Sequence, residues 1–269
     1  MSEYHLVVCG SLVPDPLQTL EPVSGADGLP ALKNENMLPA VLDPWAGHAL
    51  YEAADLAGKE PGSKVWLVSL GPRARLQQLM MTVAQKVPFE LVAVDGSASA
   101  FTDPMETAAA LAAAIEGIDG LDRSRLLLFG GCASATRSAG VTMQVVGELL
   151  GISEQFLQVD QLTAADDGSL RVLERVEGGQ YQVSVCQGPP AVLGWATGHL
   201  PEPPNNPQVG MANMRAVMPA LQKASQAQVG ATGVAFASVE LPQQQRDTRI
   251  ERDLSAAAVA GELAAWIKG

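Results

Sequence analysis

Apolar positions along the first 150 residues come in two alternating arrangements. Short unbroken runs read as strands buried on both faces: Leu6-Val7-Val8-Cys9-Gly10, Val65-Trp66-Leu67-Val68-Ser69-Leu70, Phe89-Glu90-Leu91-Val92-Ala93-Val94 and Leu126-Leu127-Leu128-Phe129-Gly130. Between them lie helix-spaced segments with their own start and stop signals. Asp43-Pro44 supplies an acidic N-cap and a proline for the first turn, ahead of Leu50, Ala53, Ala54 and Ala57 on one face. Leu76, Leu79, Met80, Val83 and Val87 recur at helical spacing. Asp103-Pro104-Met105-Glu106 is a capping-box variant opening an alanine-rich helix to about Glu116. A helix from about Ser138 to Leu150 closes with Gly151 at the position that favours a left-handed backbone. Strand–helix alternation of this kind predicts an α/β fold: a mainly parallel sheet with helices on both faces.

Two stretches break the rhythm. Ser11 to Leu42 is rich in proline and turn residues and is expected to be a long connection. Beyond Gly151, Leu170 to Val176 and Tyr181 to Val185 flank Glu177-Gly178-Gly179-Gln180, the pattern of an appended antiparallel hairpin, with Asp166-Asp167 in a solvated turn before it. Ala191 to Gly194 reads as a further strand, and Gly198 to Pro207, with four prolines and two asparagines, as a loop. A helix from Met214 to Ala227 is expected to be kinked or delimited by Pro219. Val234 to Val239 reads as a late strand and residues 254–267 as a C-terminal helix.

Charge narrows the function classes. The 29 acidic and 17 basic residues give a formal charge of −12, a field that repels nucleic acid. No apolar run approaches the roughly 20 residues of a membrane span, and Met1 to His5 lacks a secretory pattern. Cys9, Cys132 and Cys186 stand far apart, as do the three histidines, so a metal centre is not expected and the thiols suit a reducing cytoplasm.

Candidate chemistry sits at the strand ends, where open α/β sheets bind ligands. Gly130-Gly131-Cys132-Ala133-Ser134-Ala135-Thr136-Arg137-Ser138 is a small-residue loop running into a helix start, where free N–H groups favour phosphate. Thr136 and Ser138 add hydroxyls and Arg137 a guanidinium fork. The same loop also reads as a plain strand-to-helix turn with Thr136 or Ser138 as cap. It is neither a Walker loop nor GxGxxG. No nucleophile–base pair or paired carboxylates emerge, and Cys9 reads as a structural thiol. Met211, Met214 and Met218 read either as core or as an adaptable contact surface after a proline-rich loop.

Taken in order, Val8-Cys9-Gly10-Ser11, Asp43-Pro44-Trp45, Val68-Ser69-Leu70-Gly71-Pro72, Glu174-Arg175-Val176-Glu177-Gly178-Gly179, Pro190-Ala191-Val192 and Pro242-Gln243-Gln244-Gln245-Arg246 resemble segments of the β subunit of electron transfer flavoproteins. The resemblance implies an α/β fold of the adenine-nucleotide-binding type over residues 1–240, including a partner-recognition loop near 195–215, and a C-terminal arm and helix (241–269) packing on an α subunit. It implies a heterodimer that shares one FAD, held mostly by the α subunit, and carries a structural AMP in this chain. Electrons would pass from a flavoprotein dehydrogenase to a quinone oxidoreductase, without substrate chemistry of the chain's own. The implied AMP contacts are Cys9, Asp43, Pro44, Trp45, Ala46, Leu70, Gly131, Cys132, Ala133, Ser134, Thr136, Arg137, Ser138, Ala139 and Gly140. Trp45 and Pro16 fall near the flavin by position, and Met211, Ala212, Asn213 and Met214 at the dehydrogenase contact, Met211 as its apolar anchor. Three other readings remain: an electron-bifurcating relative with a second FAD in place of AMP, a nucleotide hydrolase or adenylyl-transfer enzyme, and a stand-alone nucleotide sensor.

Overall fold

A computed structural model describes residues 3–25, 28–98, 101–136, 140–230, 240 and 248–268 of the chain. In chain order the elements are β1 (His5–Cys9), β2 (Leu12–Pro14), β3 (Pro22–Ser24), β4 (Pro30–Leu32), β5 (Ala40–Leu42), α1 (Pro44–Lys59), β6 (Lys64–Gly71), α2 (Arg73–Val83), β7 (Glu90–Asp95), α3 (Pro104–Glu116), β8 (Leu126–Gly131) and α4 (Thr142–Leu149). They continue with β9 (Gln155–Ala164), β10 (Leu170–Val176), β11 (Gln180–Cys186), β12 (Ala191–Trp195), α5 (Pro207–Gln222), β13 (Ser225–Gln226) and α6 (Ala256–Lys268).

One nine-stranded sheet carries the fold, in the order β11-β10-β9-β12-β8-β1-β6-β7-β13. Pairing is parallel from β9 through β12, β8, β1, β6 and β7 to β13, and antiparallel only where β10 joins β9 and β11. The chain winds outward from β1 to β6 and β7, then returns through α3 to lay β8 on the other side of β1. Strand order therefore reverses between β1 and β8, and a crevice opens there at their carboxyl ends. Helices α1, α2 and α5 cover one face through Leu50, Ala53, Leu76, Met80, Val217 and Leu221. Helices α3 and α4 cover the other through Leu111, Ile115, Met143 and Val146.

The four principal strands and the caps of α1 and α3 lie where the apolar spacing put them. Asp43 and Asp103 each accept the N–H two residues on, with proline in the first turn. The α4 end is a Schellman arrangement: Gly151 N–H donates to Glu148 O and Ile152 N–H to Gly147 O, with Gly151 at φ +65°.

Other expectations need correction. Helix α4 starts at Thr142 rather than Ser138, with Val141 at its cap making no side-chain bond. Helix α2 ends at Val83, so Val87 lies beyond it. The Ser11–Leu42 connection holds two small ladders, β2 with β5 and β3 with β4. A ten-residue strand, β9, occupies a stretch to which no element had been assigned. Helix α5 begins at Pro207, seven residues before the expected Met214, because Asn206 accepts from Gln208 N–H and Val209 N–H and Pro207 follows as its first residue. Pro219 sits inside that helix without ending it. The Val234–Val239 strand and the Pro242–Arg246 segment lie outside the described residues.

At the opposite end of β1 from the crevice, His5 accepts Asp122 N–H at its Nδ1 (2.8 Å) and meets Trp66 edge to face at 5.2 Å. An accepting Nδ1 requires the neutral ring. Burial lowers its pKa from 6.5, against Asp122, which raises it; Arg125 and Lys64 add to the lowering and Glu3 opposes it. A histidine whose folded pKa lies below the unfolded value contributes stability above 6.5 that is lost as pH falls below it. Thermal unfolding across that range is expected to show the loss. His5→Asn, which keeps an acceptor but does not titrate, is expected to flatten the curve.

Candidate functional site: the strand-end crevice

Three strand ends and one helix start meet over the β1/β8 crevice, and Asp43 holds them together. Its carboxylate is 3% exposed. Oδ1 accepts Trp45 N–H at 3.0 Å, capping α1, and Oδ2 accepts Ala135 N–H at 2.9 Å from the loop after β8. The Asp43 N–H in turn donates to Ser11 O at 2.8 Å, in the segment after β1. Desolvation raises the Asp43 pKa, opposed by the N–H groups of Ala135, Trp45 and Ala46. Ser69, fully buried, donates its hydroxyl to Gly10 O at 2.8 Å, while Gly10 N–H donates to Val68 O. The Val-Ser-x-Gly-Pro motif thus ties the end of β6 to the end of β1.

The loop after β8 is shaped by close approach. A Cβ on Gly131 would stand 2.5 Å from Trp45 Cβ and 2.8 Å from Ala133 O, and a Cβ on Gly140 would overlap the Cys132 carbonyl oxygen. Glycine is required at both positions because the neighbouring atoms fill the space a side chain would need. Cys132 N–H donates to Trp195 O at 2.8 Å, anchoring the loop to β12.

Two adjoining cavities lie in this crevice. Cys9, Ser11, Asp43, Ala46, Gly131, Ala133, Ser134 and Gly140 are among the walls of one, about 50 Å³. The other, about 120 Å³, includes Leu70, Ser134 and Thr136, and the two share Ser11, Leu111, Ser134 and Thr142. Both fall below the roughly 300–1,000 Å³ of a complete small-molecule pocket. A larger cavity, about 610 Å³, lies between β7, α3 and β13, walled by alanines and aliphatic residues together with Trp66, Glu90, Asp119, Lys223 and Gln226. The converging strand ends and the close-packed Gly131 and Gly140 belong to the crevice instead.

Most of the residues singled out from the sequence converge here. Cys9, Asp43, Ala46, Leu70, Gly131, Ala133, Ser134, Thr136 and Gly140 line the two cavities. Trp45 and Cys132 stand behind them, the first against Gly131 and the second in the β12 anchor. Pro44 faces outward as the first residue of α1. Arg137, Ser138 and Ala139 lie outside the described residues. Burial pushes the Cys9 thiol up to about 12, so it is no thiolate nucleophile at neutral pH. Pro16 is exposed on a turn closed by Gln18 N–H donating to Asp15 O.

A family model, electron transfer flavoprotein domain, matches residues 34–234. The chain belongs to the electron transfer flavoprotein family. The matched span runs from the turn before β5 past β13 and so includes the crevice walls except those from β1, its following turn and β2. No curated protein matches the chain. Members of this family carry electrons with a flavin. Among the described residues, no group of three or more histidines, cysteines or carboxylates is placed to hold a metal, and no helix is long and apolar enough to cross a membrane.

The expected partner contacts separate. Met211 is 65% exposed, and Ala212 beside it is also exposed, both in the second turn of α5 rather than in a loop. Asn213 is buried, and its amide donates to Ala84 O at 2.8 Å and Val87 O at 2.7 Å. Its role here is to fasten α5 onto the end of α2. Met214 packs partly buried against the core. The Glu-Arg of the hairpin motif also turns inward. Glu174 accepts Leu157 N–H at 3.0 Å beside a bulge at Gln158, which has φ +53°. Arg175 forks onto Asp160 at 3.0 and 2.9 Å and donates to Thr197 at 2.8 Å.

Proposed function

We propose that this chain is the β-type subunit of a heterodimeric electron transfer flavoprotein, with a structural AMP in the β1/β8 crevice and one FAD shared with an α subunit. The observation that carries the reading is the glycine cradle at Gly131 and Gly140, set at the point of strand-order reversal and fixed by Asp43. Ser134 and Thr136, whose hydroxyls bond each other at 3.2 Å, line the adjoining cavity. Residues 1–240 form the nucleotide-binding unit. Residues 241–269 form an arm that packs on the α subunit, in keeping with α6, where Leu263, Trp266 and Ile267 are 53%, 80% and 77% exposed. Three free cysteines accord with a cytoplasmic setting.

In this reading a flavoprotein dehydrogenase reduces the shared FAD and a quinone oxidoreductase withdraws the electrons, while the β chain braces the FAD domain. Trp45, half-buried beside Gly131, and the exposed Pro16 are the positions assigned to the flavin side. Met211 and Ala212 present the dehydrogenase contact, with Asn213 and Met214 holding their helix in place. Co-expression with an α-type subunit, followed by nucleotide extraction and mass spectrometry, tests the assignment. One FAD and one AMP per heterodimer are expected. Two FAD would replace the AMP assignment with electron bifurcation, and a colourless complex would end the reading. Met211→Ala is expected to slow flavin reduction by the dehydrogenase while leaving bound FAD unchanged, as measured by stopped-flow absorbance. Loss of flavin from that variant would make Met211 structural instead.

A further inference from the structure

Helix α1 carries a second buried carboxylate whose donors all come from one loop. Glu52 is 6% exposed. Its Oε1 accepts His199 N–H at 2.9 Å and Leu200 N–H at 3.3 Å, and His199 Nδ1 stands 3.2 Å away. Gly198 turns over it at φ +61°, where a Cβ would come within 2.5 Å of the same oxygen. A carboxylate is costly to bury unless several donors meet it, so this arrangement is stable only while the loop keeps its shape.

The far side of that loop is held independently. Lys86 reaches Glu202 at 2.7 Å and donates to Pro203 O at 3.2 Å, while Asn206 N–H donates to Gln85 O at 2.8 Å. Its entry is pinned by Ala196 N–H donating to Val159 O and by Arg175 on Thr197. A segment whose proline content suggests a floppy tip is therefore tied at its entry, at His199–Leu200 and at Glu202–Pro203 and Asn206, directly before the exposed start of α5. Ordering a segment before docking removes an entropic cost from the association step.

We infer that Glu52 is a positioning residue for partner docking: it fixes the near half of the 198–206 loop, the segment that leads to the first turns of α5 presenting Met211. The inference rests on the electron-carrier reading above. It places both organising carboxylates on α1, Asp43 at the nucleotide crevice and Glu52 about 13 Å further along the helix axis. The nearer acts on the nucleotide and the farther on the docking loop.

The test uses the full chain purified with its α subunit. In Glu52→Ala, amide hydrogen exchange at His199 and Leu200 is expected to accelerate at least about tenfold, the scale of a lost hydrogen bond to a charged group. For a flavoprotein dehydrogenase that reduces the wild-type complex, KM is expected to rise by a similar factor. The saturating rate and the dithionite-reducible flavin should be unchanged. Glu52→Gln keeps an acceptor oxygen and is expected to restore most of both effects. His199→Ala keeps the main-chain donor and should leave Leu200 exchange near wild type. Glu52→Asp, one methylene short, gives the same direction of change should the alanine variant not fold. Unchanged exchange in Glu52→Ala overturns the positioning role. Faster exchange with unchanged KM overturns the link to docking while the carrier reading stands. A wild-type complex without flavin overturns the carrier reading and the docking link with it, leaving only the loop anchoring, which the exchange measurement decides separately.

Discussion

Asp43→Ala is expected to release AMP from the purified complex and to lower its melting temperature. Two costs add. The cap on α1 is lost, worth about 1 kcal/mol, and Ala135 N–H, whose acceptor at 2.9 Å is removed, is left unsatisfied at about 1–3 kcal/mol. Removing a desolvated charge returns part of this, because burial raises the pKa of Asp43 above its ordinary value. A net loss of about 2 kcal/mol would lower the melting temperature by roughly 4–8 °C at this chain length. Nucleotide loss should exceed the stability loss, since the Asp43–Ala135 bond fixes the loop proposed to hold the AMP phosphate. Asp43→Asn separates the two effects. Its amide can still accept from Trp45 and cap the helix, but its NH₂ would face the Ala135 N–H, donor against donor. Near-normal stability with reduced AMP content is therefore expected, read by calorimetry and by mass spectrometry of the released nucleotide. Full AMP occupancy in both variants would show that Asp43 only caps α1. The pH dependence carries the opposite sign to that of His5. A carboxyl with a raised folded pKa holds its proton longer in the fold, so stability falls as pH rises from 3.8 toward the folded value.

Gly140→Ala is expected to empty the crevice with little change to the sheet. The added Cβ would overlap the Cys132 carbonyl oxygen, a backbone atom that cannot rotate aside. Overpacking of this kind costs about 1–3 kcal/mol when the surroundings yield, and the only way to yield here is to open the loop. The expected result is a complex that still binds FAD, unfolds cooperatively and retains little AMP. Gly151→Ala serves as the contrast. Nothing lies within 4 Å of its Cβ, and its cost is the strain of a left-handed backbone at φ +65°. That variant should lose modest stability and keep its nucleotide. Equal AMP content in the two would show that the loop does not shape the pocket.

How much of this was legible in the sequence can be judged element by element. The four central strands were visible because strands buried on both faces are continuous apolar runs. The starts of α1 and α3 were visible because cap, proline and helix lie within a few residues of each other. Strand β9 was not. Its buried residues Phe156, Val159 and Asp160 break the two-residue period, since Gln158 is a bulge at φ +53°. The true start of α5 carried a readable signal, Asn206-Pro207, built like Asp43-Pro44 but hidden in a run of prolines. For the candidate site, the small residues of the loop after β8 were legible as a strand-to-helix turn, and the resemblance gathered them with Asp43 and Leu70, which the fold brings to the same crevice. The inward turn of Asn213 was not legible, because an amide in a helix can face solvent or the core with the same local spacing.

The sequence by itself determined the α/β class, most of the element types and the small-residue loop after β8. These depend on contacts within a turn or on a repeat of two or 3.6 residues, and both are written locally. Tertiary structure decided which groups meet: Asp43 with Ala135 across 92 positions, Glu52 with His199 across 147. Those pairings follow from strand order, from β8 returning beside β1 and β12 joining on its far side, which no local pattern encodes. Burial then made them matter, because a carboxylate taken out of water must find its donors wherever the fold brings them.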